Sequence, residues 1–177
     1  MEKSVKLSEK SKSVRFLAVN GMIAALYVAL TFTVPALSFS VGQFRLSEAL
    51  VVLPVFAPYS VVGLTVGCFL SNLLGTALSV NMLFDCIFGT AATLLAGLLT
   101  AVIGKAVKGK QIYVWAALPA VVLNGLVVGA ELALLTDMGT FWYCAASVAL
   151  GETVVCYSLG TVLLYSLRRN GLYKKIL

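Results

Sequence analysis

The chain has 177 residues, of which 60% are hydrophobic and only 11% are charged. Soluble domains carry about 25% charged residues, so a water-soluble protein of this size has no way to bury so much apolar surface. Lysine and arginine number 13 against 7 acidic residues, which gives a net charge of +6, and histidine is absent. These values exclude an ordinary soluble domain and indicate a protein embedded in lipid.

A membrane-spanning helix needs about 20 mostly apolar residues. The alternating segments of about ten residues that are typical of a membrane barrel are not found, which leaves a helical bundle. We therefore predict an all-α integral membrane bundle of six transmembrane helices. The expected domains are a basic tail at 1–14, a membrane domain at 15–168 and a second tail at 169–177.

In chain order, the first apolar stretch is longer than the core of a signal peptide and is predicted to be a true spanning helix. The stretch 44–79 is too long for one helix, and Pro54 and Pro58 divide it, because proline removes a backbone donor and clashes with the preceding turn. The predicted helices cover about 16–34, 46–56, 60–78, 83–103, 113–135 and 141–167.

The basic residues predict the topology. Outside the apolar stretches, of which 44–79 includes Arg45, they fall in the N-terminal tail, in the loop 105–110 and in the C-terminal tail. The positive-inside rule places all three in the cytoplasm. This requires an even number of crossings before Lys105, and four crossings satisfy it. Both termini are therefore predicted to be cytoplasmic.

Charged side chains inside a membrane cost on the order of 2.5–3.5 kcal/mol each and are functional candidates by default. The loop residue Asp137 is interpreted as solvated. Two asparagines, Asn72 and Asn124, fall near the predicted midplane. Apart from Asp137, five charged residues lie within or close to the apolar stretches, and all five fall in the outer half of the membrane. This asymmetry predicts a polar pocket open to the outside. The five residues are Arg45, Glu48, Asp85, Glu131 and Glu152.

These polar residues allow two interpretations. Arg45 and Glu48 are three positions apart and share a helix face, so they either form a structural ion pair or contact a ligand. If Arg45 pairs with Glu48, no cation is left for Asp85, Glu131 and Glu152. They are either protonated contacts between helices, or they meet N–H donors or a cation on a ligand. The asparagines are equally compatible with hydrogen bonds between helices.

Small residues recur at every fourth position of the first predicted helix, at Gly21, Ala25 and Ala29. Such a face lets another helix approach closely. Because no charge lies on this helix, we interpret the face as a docking surface, with packing inside the same bundle as the alternative.

Several kinds of site are not expected. The cysteines Cys68, Cys86, Cys144 and Cys156 are scattered and no histidine is present, so no metal and no cofactor is predicted. No phosphate-binding loop is found, so an ATP-driven process needs another subunit. No nucleophile–base pair is found either, so no catalytic residue and no enzymatic activity are expected.

Five segments resemble one transporter family. The chain is similar to the substrate-capture (S) component of energy-coupling factor transporters, and most similar to the QueT-type family for queuosine precursors. The segments that carry the resemblance are GQFRLSEALVVLP, GLTVGCFLSNLLG, FDCIFGTAATLLA, PAVVLNGLVVG and ALGETVVCYSLG.

The resemblance implies a multi-pass protein of the bacterial cytoplasmic membrane that binds its substrate near the outer face. Its partners would be an EcfT-like transmembrane coupling subunit and two ATPase subunits, besides membrane lipid, and no nucleic acid. S components commonly dock through a small-residue face on the first helix, which Gly21, Ala25 and Ala29 match. An S component for another vitamin, or a cation-coupled solute carrier, is the alternative.

The implied substrate is a 7-deazaguanine such as pre-queuosine base one or zero (preQ1 or preQ0). Its ring N–H and exocyclic amine form a donor pair that suits a carboxylate. Either Glu152 or Glu131 is expected to bind this edge, with Asp85 or Glu48 assisting. Arg45 or an asparagine amide is expected to donate to the ring carbonyl. The candidate stacking partners are Phe44, Phe84 and Trp142, the last also a candidate membrane-interface anchor.

Overall fold

The computed structural model describes residues 2–78, 82–136 and 138–171. All regular structure in these residues is helical, which confirms the all-α class. Asp137 lies outside the described residues, as do positions 172–177 of the predicted C-terminal tail. The α-helices are α1 (Glu2–Thr31), α2 (Pro35–Ser38), α3 (Ser60–Gly75), α4 (Met82–Ala106), α5 (Ile112–Trp115), α6 (Leu118–Leu135), α7 (Phe141–Val155) and α8 (Thr161–Asn170). Three further helical segments are of other types: 3-10 at Leu46–Val55 and Gly109–Gln111, and π at Cys156–Gly160.

Within the described residues, four helical stretches are long and apolar enough to cross a membrane; they are Lys12–Thr31, Leu83–Ala106, Gly109–Leu135 and Phe141–Asn170. Two shorter apolar helices, Leu46–Val55 and Ser60–Gly75, lie where the second and third crossings are predicted. Helical structure also extends from Glu2 through the basic segment 1–14 that the sequence predicts to be a tail.

The second predicted helix is present, but it is a 3-10 helix of 10 residues. A 3-10 helix rises about 2.0 Å per residue against about 1.5 Å in an α-helix, so this segment extends over about 20 Å. Every side chain from Ser47 to Pro54 is buried, and the segment contacts α1, α3, α4, α7 and α8. Because protein surrounds it, its irregular backbone is compatible with membrane depth.

The helices α1 and α3 cross closely at Gly63 and Gly67. A Cβ atom at Gly63 would lie 2.7 Å from the backbone oxygen of Asn20, and one at Gly67 would lie 2.7 Å from the Cβ of Tyr27. The side-chain oxygen of Asn20 also accepts a hydrogen bond of 2.7 Å from the Gly63 N–H. This hydrogen bond links α1 to α3 at the point where the two helices cross.

The fifth predicted helix, at 113–135, is divided in the structure. α6 begins at Leu118 with Pro119 in its first turn, where proline is favoured because the N–H there has no intrahelical partner. The carbonyl groups at the break are satisfied by hydroxyl groups from other helices. Thr100 donates to the Ala116 oxygen at 3.0 Å, and Tyr157 donates to the Val114 oxygen at 2.9 Å.

The sixth predicted helix is continuous from Phe141 to Asn170, but the π segment interrupts its α geometry. The N-terminal part packs against α6 through glycine, since a Cβ atom at Gly129 would collide with the backbone of Ala145. π segments within α-helices are frequent at functional sites. This one lies one turn beyond Glu152 and contacts the central 3-10 segment.

Candidate functional site

Polar side chains converge in the interior around the N-terminal end of the 3-10 segment. All seven polar residues that the sequence singles out are no more than 4% exposed. The structure therefore brings them into the protein interior rather than onto a solvent-open surface, and the cluster is closed in this conformation. They are Arg45, Glu48, Asn72, Asp85, Asn124, Glu131 and Glu152.

One half of the cluster is an ion pair between Arg45 and Asp85, with Nη2 and Oδ2 2.7 Å apart. The ion pair between Arg45 and Glu48, one of the two interpretations of these residues, is not formed, since Arg45 pairs with Asp85. Arg45 precedes the helix with an extended backbone (φ −88°, ψ 109°), so the spacing rule for one helical face does not apply to it. Its Nε also donates to the Ser38 oxygen at 3.1 Å, and its guanidinium carbon lies 5.7 Å from the centre of the Phe39 ring.

Asp85 has further polar neighbours. The side-chain amide of Gln43 donates to both carboxylate oxygens, at 3.3 and 3.4 Å, and the amide of Asn72 donates to the Asp85 backbone oxygen at 2.8 Å. The sequence predicts that Asp85 has no cationic partner. In the structure Arg45 is that partner. Asp85 is the acceptor that anchors the loop before the 3-10 segment to α4.

Gln43 holds this position with an unusual backbone. Its φ of 42° lies in the left-handed region, which residues other than glycine seldom adopt. The neighbouring Gly42 lies so close to α7 that a Cβ atom at Gly151 would collide with the Gly42 oxygen. Glycine at position 151 therefore lets the loop pass directly beside Glu152.

The second half of the cluster begins at Glu48, whose Oε1 accepts a short hydrogen bond from the hydroxyl of Tyr27. Tyr27 is fully buried on the inner face of α1. One turn further, the Thr31 hydroxyl donates to the Ser47 hydroxyl at 2.8 Å. The sequence does not predict Tyr27, because an uncharged side chain in an apolar helix gives no electrostatic signal.

Glu152 lies on the other side of Glu48, near enough for the two carboxyl groups to interact electrostatically. The amide of Asn124 donates to Glu152 Oε1 at 2.9 Å, and the thiol of Cys156 lies 3.4 Å from Oε2. The same thiol lies 3.5 Å from the Glu48 backbone oxygen. The amide and the thiol thus hold the Glu152 carboxyl group beside the 3-10 segment that carries Glu48.

Glu131 lies at the edge of the cluster, where it interacts electrostatically with Asp85 and Arg45. Its carboxyl group is 4% exposed and lines a groove of about 420 Å³ that is otherwise apolar, with Phe88 and Leu126 among its walls.

Three buried acceptor atoms of the cluster have no hydrogen-bond partner within the part of the chain that the structure describes: Glu48 Oε2, Asn72 Oδ1 and Glu131 Oε2. Nearly all buried polar atoms in proteins are paired, and an unpaired one costs about 1–3 kcal/mol. The cluster therefore offers acceptors to N–H donors of a bound molecule. Among the described residues, no group of three or more Cys, Asp or Glu side chains is arranged to hold a metal.

The three aromatic candidates occupy different surroundings, and Trp142 is the most exposed of them at 76%. Phe44 is partly buried and its ring lies against Gly42, next to the cluster. Phe84 is 38% exposed, whereas the adjacent Asp85 is fully buried. The Phe39 ring, which the sequence does not single out, lies 5.7 Å from the guanidinium carbon of Arg45.

The small-residue face of α1, formed by Gly21, Ala25 and Ala29, is exposed along its length. No atom lies within 4 Å of a Cβ atom built at Gly21. The packing of α1 against α3 uses the opposite face, so the alternative interpretation of these residues, packing inside the same bundle, does not hold in this structure.

The profile of a protein family described as QueT transporter matches residues 17–169. No curated protein and no solved structure matches the chain. The matched range contains every residue of the buried cluster and the exposed face of α1.

Proposed function

The chain belongs to the QueT transporter family, and on that premise we propose that it is the substrate-capture component of an energy-coupling factor importer for a 7-deazaguanine. Membership of a transporter family makes it a transport protein and not an enzyme. The proposal includes the substrate, the partner subunits and the membrane topology of the chain.

The observation that carries the proposal is the pair of buried carboxyl groups at Glu48 and Glu152. Glu48 Oε2 has no partner among the described residues, and Asn124 holds the facing carboxyl group of Glu152 in place. A 7-deazaguanine presents a ring N–H and an adjacent amine. A carboxylate accepts two such parallel hydrogen bonds, so this edge suits Glu48 or Glu152.

The ion pair narrows the assignment of roles. Because Arg45 neutralises Asp85, we assign these two residues to positioning the loop rather than to the donor edge of the ligand. The amide of Asn124 or of Asn72 is the donor for the ring carbonyl. Glu131, with its unpartnered oxygen, is the acceptor for the cationic aminomethyl group of the amine-bearing precursor.

Six membrane crossings with both termini in the cytoplasm are part of the proposal. The two shorter apolar helices supply the crossings beyond the four long stretches, and the rise of the 3-10 segment extends the shortest of them. The basic residues of the α4–α5 connection and of the end of α8 then lie on the cytoplasmic side, as the positive-inside rule requires.

Coupling to ATP is proposed to run through partner subunits, because the sequence contains no phosphate-binding loop. The exposed face of α1 is the surface on which an EcfT-like coupling subunit with its two ATPase subunits would dock. Small side chains allow two helices to approach closely in a membrane, and Gly21, Ala25 and Ala29 are available for such a contact.

The substrate claim is tested by titrating the purified chain with preQ1 and preQ0, and in parallel with riboflavin, biotin, thiamine and folate. We expect a 7-deazaguanine to bind without partner subunits. Glu152→Gln should weaken this binding by about tenfold to hundredfold, because one charge-assisted hydrogen bond contributes about 1.5–3 kcal/mol. The matched control is Thr153→Ala, whose hydroxyl is exposed and bonded within its own helix, and it should bind normally. Binding of another vitamin and of no deazaguanine would contradict the assigned substrate.

The docking claim is tested by Ala25→Trp. A large ring on this face should abolish co-purification with the coupling subunit while substrate binding by the isolated chain is unchanged. Val154→Trp, at a position of α7 that is 55% exposed, is the matched control and should co-purify normally. Loss of substrate binding together with docking would refute the assignment of this face.

A further inference from the structure

A second polar cavity lies at the opposite end of the bundle, far along α4 from the buried cluster. It has a volume of about 340 Å³ and lies between the 3-10 segment, the α4–α5 connection and α8. Its apolar wall includes Val55, Ile112 and Leu164, and its charged groups are Lys108 and Arg168. No carboxylate is found among its lining residues in the described part of the chain.

Arg168 is fixed at the mouth of this cavity. Its Nη1 donates to the Gly109 oxygen at 2.7 Å, and its guanidinium carbon lies 5.9 Å from the centre of the Tyr113 ring. Gly109 makes this arrangement possible with a φ of 76°. A guanidinium held by one N–H on a carbonyl oxygen retains further N–H donors for an anion.

An apolar groove of about 320 Å³ lies beside the cavity on the outside of the bundle, lined by Tyr113, Thr161, Val162 and Tyr165. The Tyr113 ring joins the two features, because it contacts Arg168 on one side and the Tyr165 ring, 6.3 Å away between centres, on the other. Val162 and Tyr165 are 66% and 51% exposed, so the groove faces the surroundings of the helices.

A basic cavity next to an apolar groove matches the two parts of a phospholipid. The phosphate accepts hydrogen bonds from Arg168 and meets the charge of Lys108, and an acyl chain lies along the groove. In the proposed topology this end faces the cytoplasm, and the cytoplasmic leaflet carries anionic lipids. Tyrosine side chains are also typical of this depth, where an apolar ring and a polar hydroxyl are both solvated.

We propose that this cavity and groove form a binding site for an anionic phospholipid, with the phosphate group at Lys108 and Arg168 and an acyl chain along Tyr113 and Tyr165. The site is separate from the capture of substrate and does not depend on which solute the chain transports.

The test is a titration of the full chain in neutral detergent with phosphatidylglycerol, phosphatidylcholine or inorganic phosphate, followed by native mass spectrometry to count bound lipid. Removing one basic group near a membrane surface weakens anionic lipid binding by about fivefold. Lys108→Gln and Arg168→Gln should each show this loss for phosphatidylglycerol, and the double variant should lose about thirtyfold. Lys110→Gln, in the same connection but outside the cavity, is the matched control and should bind normally.

Each outcome decides the proposal. Selective loss in the two cavity variants, together with weak binding of phosphatidylcholine, supports it. Equal losses in the Lys110→Gln control would mean diffuse attraction and would overturn it. Equal binding of phosphatidylglycerol and phosphatidylcholine would also overturn the proposal. Displacement of the lipid by inorganic phosphate would identify a free-anion site instead. Lys108→Gln changes an exposed side chain, so its thermal unfolding without lipid should match the parent and exclude misfolding as the cause.

Discussion

The ion pair between Arg45 and Asp85 gives the most direct test of the buried cluster. Replacement of Asp85 by Asn keeps the size of the side chain but removes the negative charge. Arg45 then keeps the Ser38 oxygen at 3.1 Å and the Phe39 ring, but it loses the anionic oxygen that lies 2.7 Å from its Nη2 atom. Both partners are no more than 3% exposed, so water cannot replace the lost carboxylate.

Breaking a buried pair by removing one partner costs about 3–5 kcal/mol, whereas replacing both partners by apolar residues of similar volume is often neutral. We therefore expect Asp85→Asn to lower the free energy of unfolding by about 3–5 kcal/mol. The double variant Arg45→Met with Asp85→Leu should recover most of this loss. The two outcomes together separate the cost of a stranded charge from the cost of lost contacts.

The assay is equilibrium unfolding of the purified chain in mixed micelles, followed by tryptophan fluorescence and circular dichroism without substrate. Two results would refute the reasoning. One is an Asp85→Asn variant within about 1 kcal/mol of the parent, the usual size of a mutational effect. The other is a double variant no more stable than the single one, which would mean that side-chain shape rather than charge pairing sets the effect.

Two further substitutions test other parts of the cluster. Tyr27→Phe removes the hydroxyl that donates to Glu48, so we expect the free energy of unfolding in the same assay to fall by about 1–3 kcal/mol; Tyr143→Phe, at an exposed tyrosine, should change it little, and equal losses would contradict a role for the buried bond. Gly151→Ala should lower the melting temperature and weaken substrate binding, because its Cβ would collide with the neighbouring loop. Gly21→Ala, where a Cβ meets no atom within 4 Å, is the control, and identical melting curves for the two alanine variants would contradict the collision.

Hydropathy and proline positions are sufficient to predict the helical fold and the order of its segments. They do not predict that Leu46–Val55 is a 3-10 helix, because a segment buried on all sides shows no periodic pattern that distinguishes three residues per turn from 3.6. They also do not reveal the break before Leu118, where hydroxyl groups from Thr100 and Tyr157 donate to the Ala116 and Val114 carbonyl groups.

The charged members of the buried cluster follow from the sequence because a charge in lipid is costly and has to be compensated. Their pairing does not follow, since Arg45 lies just before its helix and reaches α4 rather than Glu48. Tyr27 is missed for a related reason: its ring is compatible with an apolar helix, and only the packing on Gly67 reveals which way it faces.

The helix α1 presents two opposite faces with different contacts. Tyr27 bonds to Glu48 from the inner face, while Ala25, two positions earlier, is exposed on the outer face. A partner that moved this helix by even a fraction of a turn would also move the hydroxyl group that holds Glu48. Docking and substrate affinity would then be thermodynamically linked, and the factor by which a partner changes the affinity for substrate must equal the factor by which substrate changes the affinity for the partner. α1 would thus couple the two binding events, and the affinity for substrate and the affinity for the partner can each be measured independently.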